Sequence, residues 1–220
     1  MRSKVLLFIA NALGFLAFFW PFFLPRSSGS IFQHSLLAAL LAGVAIVVIV
    51  FQISEELLDS KTVAIIGVLA ALIASLRLLG AGAIGVEPIW FLLILSARAL
   101  GPIIGYSLAL ISFAVSALIT GGIGPWLAFQ MFASGWVALG VSVIPRKLRG
   151  RSEVLSIALY GFVAALLFGI VMDLQLWPWL TGNDSQLSFV PTFGTLDNAR
   201  RFLAFHFATA MAWDIPRAIV

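Results

Sequence analysis

Residues 155–174 read LSIALYGFVAALLFGIVMDL, an apolar run with a single charged side chain. About 20 mostly apolar residues are enough to cross the ~30 Å hydrocarbon core of a bilayer as a helix. The chain holds seven further apolar stretches: 5–24, 35–53, 62–79, 88–100, 103–120, 126–144 and 200–220. The sequence therefore predicts an all-α, polytopic membrane protein of about eight transmembrane helices. Gly101-Pro102 is interpreted as a tight turn between two spans, with one long kinked helix as the alternative.

The composition agrees with this class and excludes several others. Of 220 residues, 62% are apolar and 10% are charged, against about 25% charged in soluble domains, and the mean hydropathy is +1.12. The absence of cysteine removes disulfides, thiol catalysis and cysteine-based metal sites. The pI of about 10.1 comes from few charges, several of them in one loop, so it indicates a cytoplasmic flank and not a nucleic-acid surface.

That loop fixes the expected orientation. Short loops rich in Lys and Arg stay in the cytoplasm, and the loop before residue 155 holds Arg146, Lys147, Arg149 and Arg151. Counting spans from it places both termini inside, in a multi-pass protein of the plasma membrane. The outside loops are then 25–34, 80–87, 121–125 and 175–199. The last is long and rich in aromatic residues, which favours a functional role.

Motifs for catalysis or nucleotide binding are lacking. The only histidines are His34 and His206, and the sequence has no H-E-x-x-H, no G-x-S-x-G and no Walker A motif. Residues 80–85 match G-x-G-x-x-G, but they follow an apolar helix and not a strand, so dinucleotide binding is disfavoured. We expect no metal, no cofactor and no enzymatic activity.

Aromatic and polar side chains alternate near the predicted outer ends of the helices. Apolar walls with a few convergent polar groups are typical of a ligand pocket. An interfacial aromatic belt is the alternative, and His206 alone is equally consistent with a hydrogen-bonded core histidine. The predicted substrate-binding residues are Glu87, Trp90, Trp126, Phe129, Gln130, Asp173, Trp177, Trp179, Phe205 and His206.

Charges within spans are expensive in lipid and need partners. Arg98, Asp214 and Arg217 are expected in the inner halves of their spans. We interpret them as a structural ion-pair network, Asp214 with Arg217 or Arg98, with a coupling role toward a partner subunit as the alternative.

Small residues form a stripe on the third span. Gly67, Ala71 and Ser75 recur every four residues, beside a second stripe of Ala70 and Ala74. Such stripes let helices approach closely in lipid. Internal packing and docking onto another protein are equally compatible with this pattern.

Two segments carry a resemblance to a known family. The stretch Arg98-Ala-Leu-Gly-Pro-Ile-Ile-Gly105 is followed by an apolar span and then by Thr120-Gly-Gly-Ile-Gly-Pro-Trp126. Together with Trp213-Asp214-x-x-Arg217, they resemble the substrate-binding S component of energy-coupling factor (ECF) transporters, which are vitamin importers. The resemblance covers residues 61–220 as a six-helix core. Residues 1–60 would be two extra N-terminal transmembrane helices, a feature similar to the branch associated with cobalamin.

The resemblance implies partners and surfaces. An S component binds its vitamin at the outer face, and here the loops concerned would be 80–87, 121–125 and 175–199. It works with a transmembrane coupling subunit and two ATPase subunits. The family's first core helix docks on the coupling subunit through an Ala-x-x-x-Ala motif, at a place similar to that of Gly67, Ala71 and Ser75.

We therefore expect the membrane-embedded substrate-binding subunit of an ECF-type importer. Cobalamin or a related corrinoid is the first candidate, and a flavin or thiamin-like compound is the alternative within transport. An intramembrane enzyme using His206 and Asp173, which requires acid and base groups clustered on one cavity, is the alternative class. A non-catalytic membrane scaffold, which requires no cavity, is the third.

Overall fold

The computed structural model describes residues 2–22, 60–79, 86–180 and 185–219, and scattered helical residues between 36 and 50. Every regular element in these ranges is helical. The predicted loop 25–34 and most of the second predicted span lie outside the described residues. The predicted number of eight spans therefore stays a prediction. The helices are α1 (Arg2–Phe18), α2 (Ser60–Leu79), α3 (Ile89–Leu100), α4 (Pro102–Thr120), α5 (Trp126–Gly140), α6 (Arg151–Leu180), α7 (Thr195–Phe205) and α8 (Met211–Ile219).

Four of the described helices are long and apolar enough to cross a bilayer. They are Ser60–Leu78, Pro102–Thr120, Trp126–Val143 and Arg151–Leu180, and α3 and part of α1 are shorter apolar helices. α4 and α5 are the most buried and form the centre of the bundle, whereas smaller shares of α2 and α6 are buried. Exposed apolar helix faces of this kind suit a membrane protein, because lipid can cover them.

The chain reverses at Gly101-Pro102. Gly101 has φ 107°, and its N–H donates to the carbonyl oxygen of Ala97 to end α3. Only glycine adopts this region without strain, and proline is favoured at the first position of the helix that follows. One turn into α4, Gly105 packs so closely on Ala97 that a β-carbon there would overlap it. The structure therefore has two antiparallel helices here and not one kinked helix.

The N-terminal helix shares the core of the other helices. The ring of Phe18 packs 4.9 Å from that of Phe129. Asn11 Oδ1 accepts hydrogen bonds from the hydroxyl of Tyr106 and from Nε1 of Trp136, both at 2.9 Å. α1 is thus bound to α4 and α5 by polar contacts as well as apolar ones.

The two ends of the bundle differ in character. At the basic end, α5 leads through the turn 144–150 into Arg151 and α6. Arg98 stabilises this end, because its guanidinium pairs with Glu153 at 2.9 Å and donates to the carbonyl oxygens of Ile144 and Pro145. At the opposite end, which we call the cavity end, α4 leads into α5 and α6 finishes at Leu180.

The last segment runs back along α6 from the cavity end. α7 continues through a π-helical turn, His206–Ala210, into α8. His206 contacts Asp173, and farther along Arg217 lies over the ring of Phe168, 5.3 Å from its centroid. Residue 217 is therefore beside the middle of α6 and not at the basic end. This corrects the expected inner position of Asp214 and Arg217.

Candidate functional site

A cavity of about 670 Å³ opens at the cavity end of the bundle. Its volume lies within the ~300–1,000 Å³ typical of small-molecule sites. It is bounded by α2, the start of α3, α4, α5, the second half of α6 and the last segment. The polar lining residues are Arg77, Glu87, Thr120, Gln130, Asp173, Thr209, Asp214 and Arg217, and the large apolar ones include Phe113, Phe168, Met172, Phe205 and Trp213.

One buried guanidinium organises the floor of this cavity. Arg217 donates from Nη1 to Asp214 Oδ1 at 2.5 Å and from Nη2 to Glu87 Oε1 at 3.1 Å. The other oxygen of Glu87 accepts a 2.8 Å hydrogen bond from Nε1 of Trp90. The side chains of Asp214 and Arg217 are 3% and 10% exposed. The three charges thus connect the start of α3 to α8, and the desolvated Asp214 and Arg217 would each be costly alone.

A second polar pair stands on the wall formed by α6 and the π-helical turn. His206 Nδ1 lies 2.7 Å from Asp173 Oδ2, within hydrogen-bond distance, and 4.0 Å from Asp214 Oδ2. His206 is buried, whereas Asp173 is partly exposed to the cavity. Asp173, His206 and Asp214 each offer one ligand atom, and these atoms lie within 4.8 Å of one another. This grouping of carboxylates and an imidazole can act as an acid–base site or hold a metal ion.

Arg77 presents the opposite polarity on another wall. Its Nη2 donates a 2.8 Å hydrogen bond to Gln130 Oε1, and its guanidinium lies 4.4 Å from the centroid of the Phe113 ring. Both contacts hold the cation in place at the cavity surface. The site therefore offers donors from Arg77 on one side and acceptors from Asp173 on another, with aromatic rings between them.

The cavity brings together part of the predicted substrate-binding set. Glu87, Gln130, Asp173 and Phe205 line it. Trp90 and His206 do not line it, but they hydrogen-bond to Glu87 and Asp173, which do. These two residues position the lining carboxylates.

Four predicted residues lie elsewhere, and here the expectation is corrected. Phe129 is buried in the core against Phe18. Trp177 is fully buried in a cluster with Phe189 and Phe202, and its Nε1 donates to the carbonyl oxygen of Leu187. Trp126 and Trp179 are 41% and 43% exposed and are not part of the lining. Nearness to a helix end in sequence does not fix the direction in which a side chain points around the helix.

Several lining residues were not predicted. Phe113 and Phe168 contribute aromatic walls, but within apolar helices they look like any core phenylalanine. Arg77 carries a usable signal, because an arginine within an apolar span requires a polar environment. Trp213 and Asp214 occur together in the sequence, yet only the path of the last segment along α6 brings them to this cavity.

The expected charge network is present in part. Asp214 and Arg217 form an ion pair, and its further partner is Glu87 from the predicted outer loop. Arg98 forms a separate ion pair with Glu153 at the basic end. Arg98 is near the end of α3 at the basic end, whereas Arg217 contacts Phe168 in the middle of α6.

The two small-residue stripes of α2 have different environments. Ala70 and Ala74 are buried, at 2% and 0% exposure, and pack within the bundle. Gly67, Ala71 and Ser75 are exposed, and a β-carbon on Gly67 would meet no atom within 4 Å. Internal packing among the described residues thus accounts for the first stripe and not for the second.

Comparisons of the chain with protein-family models, with curated proteins and with solved structures found no match.

A pair of glycines on α6 tests the packing of the floor. A β-carbon on Gly169 would overlap both carboxylate oxygens of Asp214, whereas one on Gly161 would only touch Ile94 at 3.5 Å. We expect Gly169→Ala to lower the free energy of unfolding by about 1–3 kcal/mol, because it displaces a buried charged group. The control Gly161→Ala should be neutral or stabilising by up to about 1 kcal/mol, because it lowers backbone entropy in the unfolded state.

Thermal unfolding of the two variants in detergent measures this difference. Equal transition temperatures for Gly169→Ala and Gly161→Ala would contradict the close seating of Asp214 on α6.

Proposed function

We propose that this chain is the membrane-embedded substrate-binding subunit, or S component, of an ECF-type vitamin importer in the plasma membrane. The cavity at the end of the bundle away from the basic loop is the observation that carries the proposal. If the positive charges of residues 146–151 stay in the cytoplasm, the cavity opens to the outside. An importer must collect a scarce nutrient on that side.

The sequence motifs support the same function through their places in the fold. Gly101-Pro102 forms the reversal between α3 and α4. The segment Thr120–Trp126 joins α4 to α5 beside the cavity, and Gln130 follows one turn into α5. The motif residues Asp214 and Arg217 line the cavity floor. Thr120, Asp214 and Arg217 of these motifs line the cavity, whereas the first motif, residues 98–105, lies at the basic end.

The substrate class follows from resemblance and from size. Resemblance favours cobalamin or a related corrinoid. A cavity of about 670 Å³ can enclose most of a flavin or thiamin-like molecule, whereas the larger corrin ring with its side chains would enter by one edge and leave the rest outside. Either ligand would place a flat apolar body among Phe113, Phe168 and Trp213 and its polar groups against Arg77 or Asp173.

Transport in this proposal requires partners. A transmembrane coupling subunit and two ATPase subunits supply the energy, because the chain has no Walker A motif of its own. The exposed stripe of Gly67, Ala71 and Ser75 is a suitable contact for the coupling subunit, since small residues permit close helix packing in lipid. In the expected cycle, the whole subunit rotates in the bilayer, and contacts that differ between its two orientations release the vitamin.

One observation favours a second candidate, an intramembrane enzyme. Asp173 and His206 form a carboxylate–imidazole pair at 2.7 Å, with Asp214 next to them. A carboxylate that orients an imidazole is a common arrangement for general base catalysis. A scaffold function is disfavoured by comparison, because it has no need of a cavity with buried charges.

Ligand identification and calorimetry test the vitamin proposal. Mass spectrometry and the absorbance spectrum of the purified protein should reveal a co-purified corrinoid, flavin or thiamin compound. We expect Asp173→Asn and Gln130→Ala to weaken its binding about tenfold to a hundredfold, because an unpaired buried polar group costs about 1–3 kcal/mol. Trp126→Ala is the control, since Trp126 lies outside the cavity, and it should bind as the wild type does.

If all these variants bind the vitamin with wild-type affinity, the cavity is not its binding site. Recovery of a chemically altered ligand, with the alteration lost in His206→Ala, would favour the enzyme. Failure of each of the three vitamins to bind would contradict the importer.

Docking on the coupling subunit has its own test. We expect Ala71→Trp to bind vitamin normally but to stop uptake and co-purification with the coupling subunit, because an indole on the stripe holds two helices apart. Leu159→Trp is the matched control: Leu159 is an exposed apolar residue on α6, and its replacement should leave uptake intact. Normal uptake by Ala71→Trp would show that this face of α2 contacts lipid only.

A further inference from the structure

We propose that Asp173, His206 and Asp214 bind a divalent transition-metal ion in the wall of the cavity. Nothing in the vitamin proposal requires this site, and the two can succeed or fail separately. The residues come from α6, the π-helical turn and α8, so sequence spacing gives no indication of a metal motif.

The three side chains have suitable spacing. One ligand atom from each lies within 4.8 Å of the others, and any three atoms so placed can be reached from a single point at about 2.8 Å or less. Zn²⁺ is bound by histidine nitrogen and carboxylate oxygen at about 2.0–2.2 Å. Side-chain rotations that move each ligand atom by several tenths of an ångström would bring all three atoms to this bonding distance. In doing so, the ion would replace the direct contact between His206 and Asp173.

An unsatisfied atom points to a missing partner. Asp214 Oδ2 is buried and has no hydrogen-bond partner among the residues that the structure describes, while Oδ1 of the same carboxylate is bonded to Arg217. Its distance of 4.0 Å to His206 Nδ1 is too long for a hydrogen bond. Buried polar atoms are rarely left unsatisfied, and a bound ion can supply the partner that such an atom needs. The free oxygen faces the imidazole with which it would share the metal.

The surrounding groups have the arrangement expected around a metal ligand. Carboxylates that bind metals are usually held by a further hydrogen bond that fixes their orientation, and Arg217 does this for Asp214. Gly169 leaves room for the Asp214 carboxylate beside α6. The side chains of His206 and Asp214 are only 5% and 3% exposed, so both lie in the interior of the bundle.

The local charge balance leaves room for added positive charge. Glu87, Asp173 and Asp214 are three acidic groups, and Arg217 is bonded to two of them. Arg77 lines the same cavity and interacts electrostatically with Glu87. A metal ion or a proton on His206 can offset the remaining negative charge, which is costly in a buried site.

The ligand set selects the class of ion. One imidazole and two carboxylates suit Zn²⁺, Co²⁺ or Ni²⁺, since imidazole is a ligand for these metals. Ca²⁺ requires six to eight oxygen ligands, more than this group offers. Asp173 and Asp214 both line the cavity, so a fourth position can open toward it, as in metal sites that take up water or a ligand.

Titration of the metal-free protein with Co²⁺ and Zn²⁺ tests the proposal. The full chain in detergent, treated with chelator and dialysed, should bind one ion, with a visible Co²⁺ absorption spectrum of a nitrogen–oxygen site. His206→Ala and Asp173→Asn should each weaken binding at least tenfold. The chain has two histidines, so His34→Ala is the matched control and should bind as the wild type does. Asp197→Asn, which alters an exposed carboxylate on α7, is a second control.

X-ray absorption on the wild type makes the result independent of how the variants fold. We expect one imidazole and several oxygen atoms around the Zn²⁺. The proposal is overturned if wild-type protein binds no ion, if the ion has no imidazole ligand, or if His34→Ala loses the site while His206→Ala keeps it.

Discussion

The guanidinium of Arg217 between Glu87 and Asp214 is the interaction on which the cavity end depends. It joins the residue just before α3 to α8, and its ring contact with Phe168 adds α6. The buried Arg217 or Asp214 would be very costly alone, whereas Glu87 is 31% exposed. Since the three are paired, their contacts help to hold the last segment in its position along α6. The carboxylate of Asp214 and the small volume of Gly169 fix that position further.

The cavity follows from this arrangement. Arg217 of α8 meets Glu87, just before α3, through a charged contact. Long charged side chains on α2 and α8 and rings on α4 and α6 surround a space that no single side chain fills. Burying polar groups around a cavity usually serves a ligand, because each of them lowers stability unless it is paired. The vitamin proposal and the metal proposal both give these groups a use.

Sequence patterns predicted the apolar helices and part of the cavity lining. Long apolar runs and Gly101-Pro102 led directly to apolar helices and to the reversal between α3 and α4. Glu87, Gln130 and Asp173 were identifiable because polar groups in apolar surroundings require a reason. Trp177 was misplaced because it is buried against Phe189 and Phe202 instead of facing the cavity. The pairing of Arg217 with Glu87 spans 130 residues, and no local pattern encodes a contact of that range.

A double-mutant cycle on Glu87 and Arg217 tests the central claim most directly. Glu87→Gln, Arg217→Gln and the double variant are compared with the wild type by the free energy of unfolding in detergent. Our account predicts that each single change is destabilising and that the double change costs less than the sum, with a coupling of at least about 1.5 kcal/mol for a close, partly buried charge pair. Additive effects, within about 0.5 kcal/mol, would show that the two residues do not depend on each other and would contradict the account.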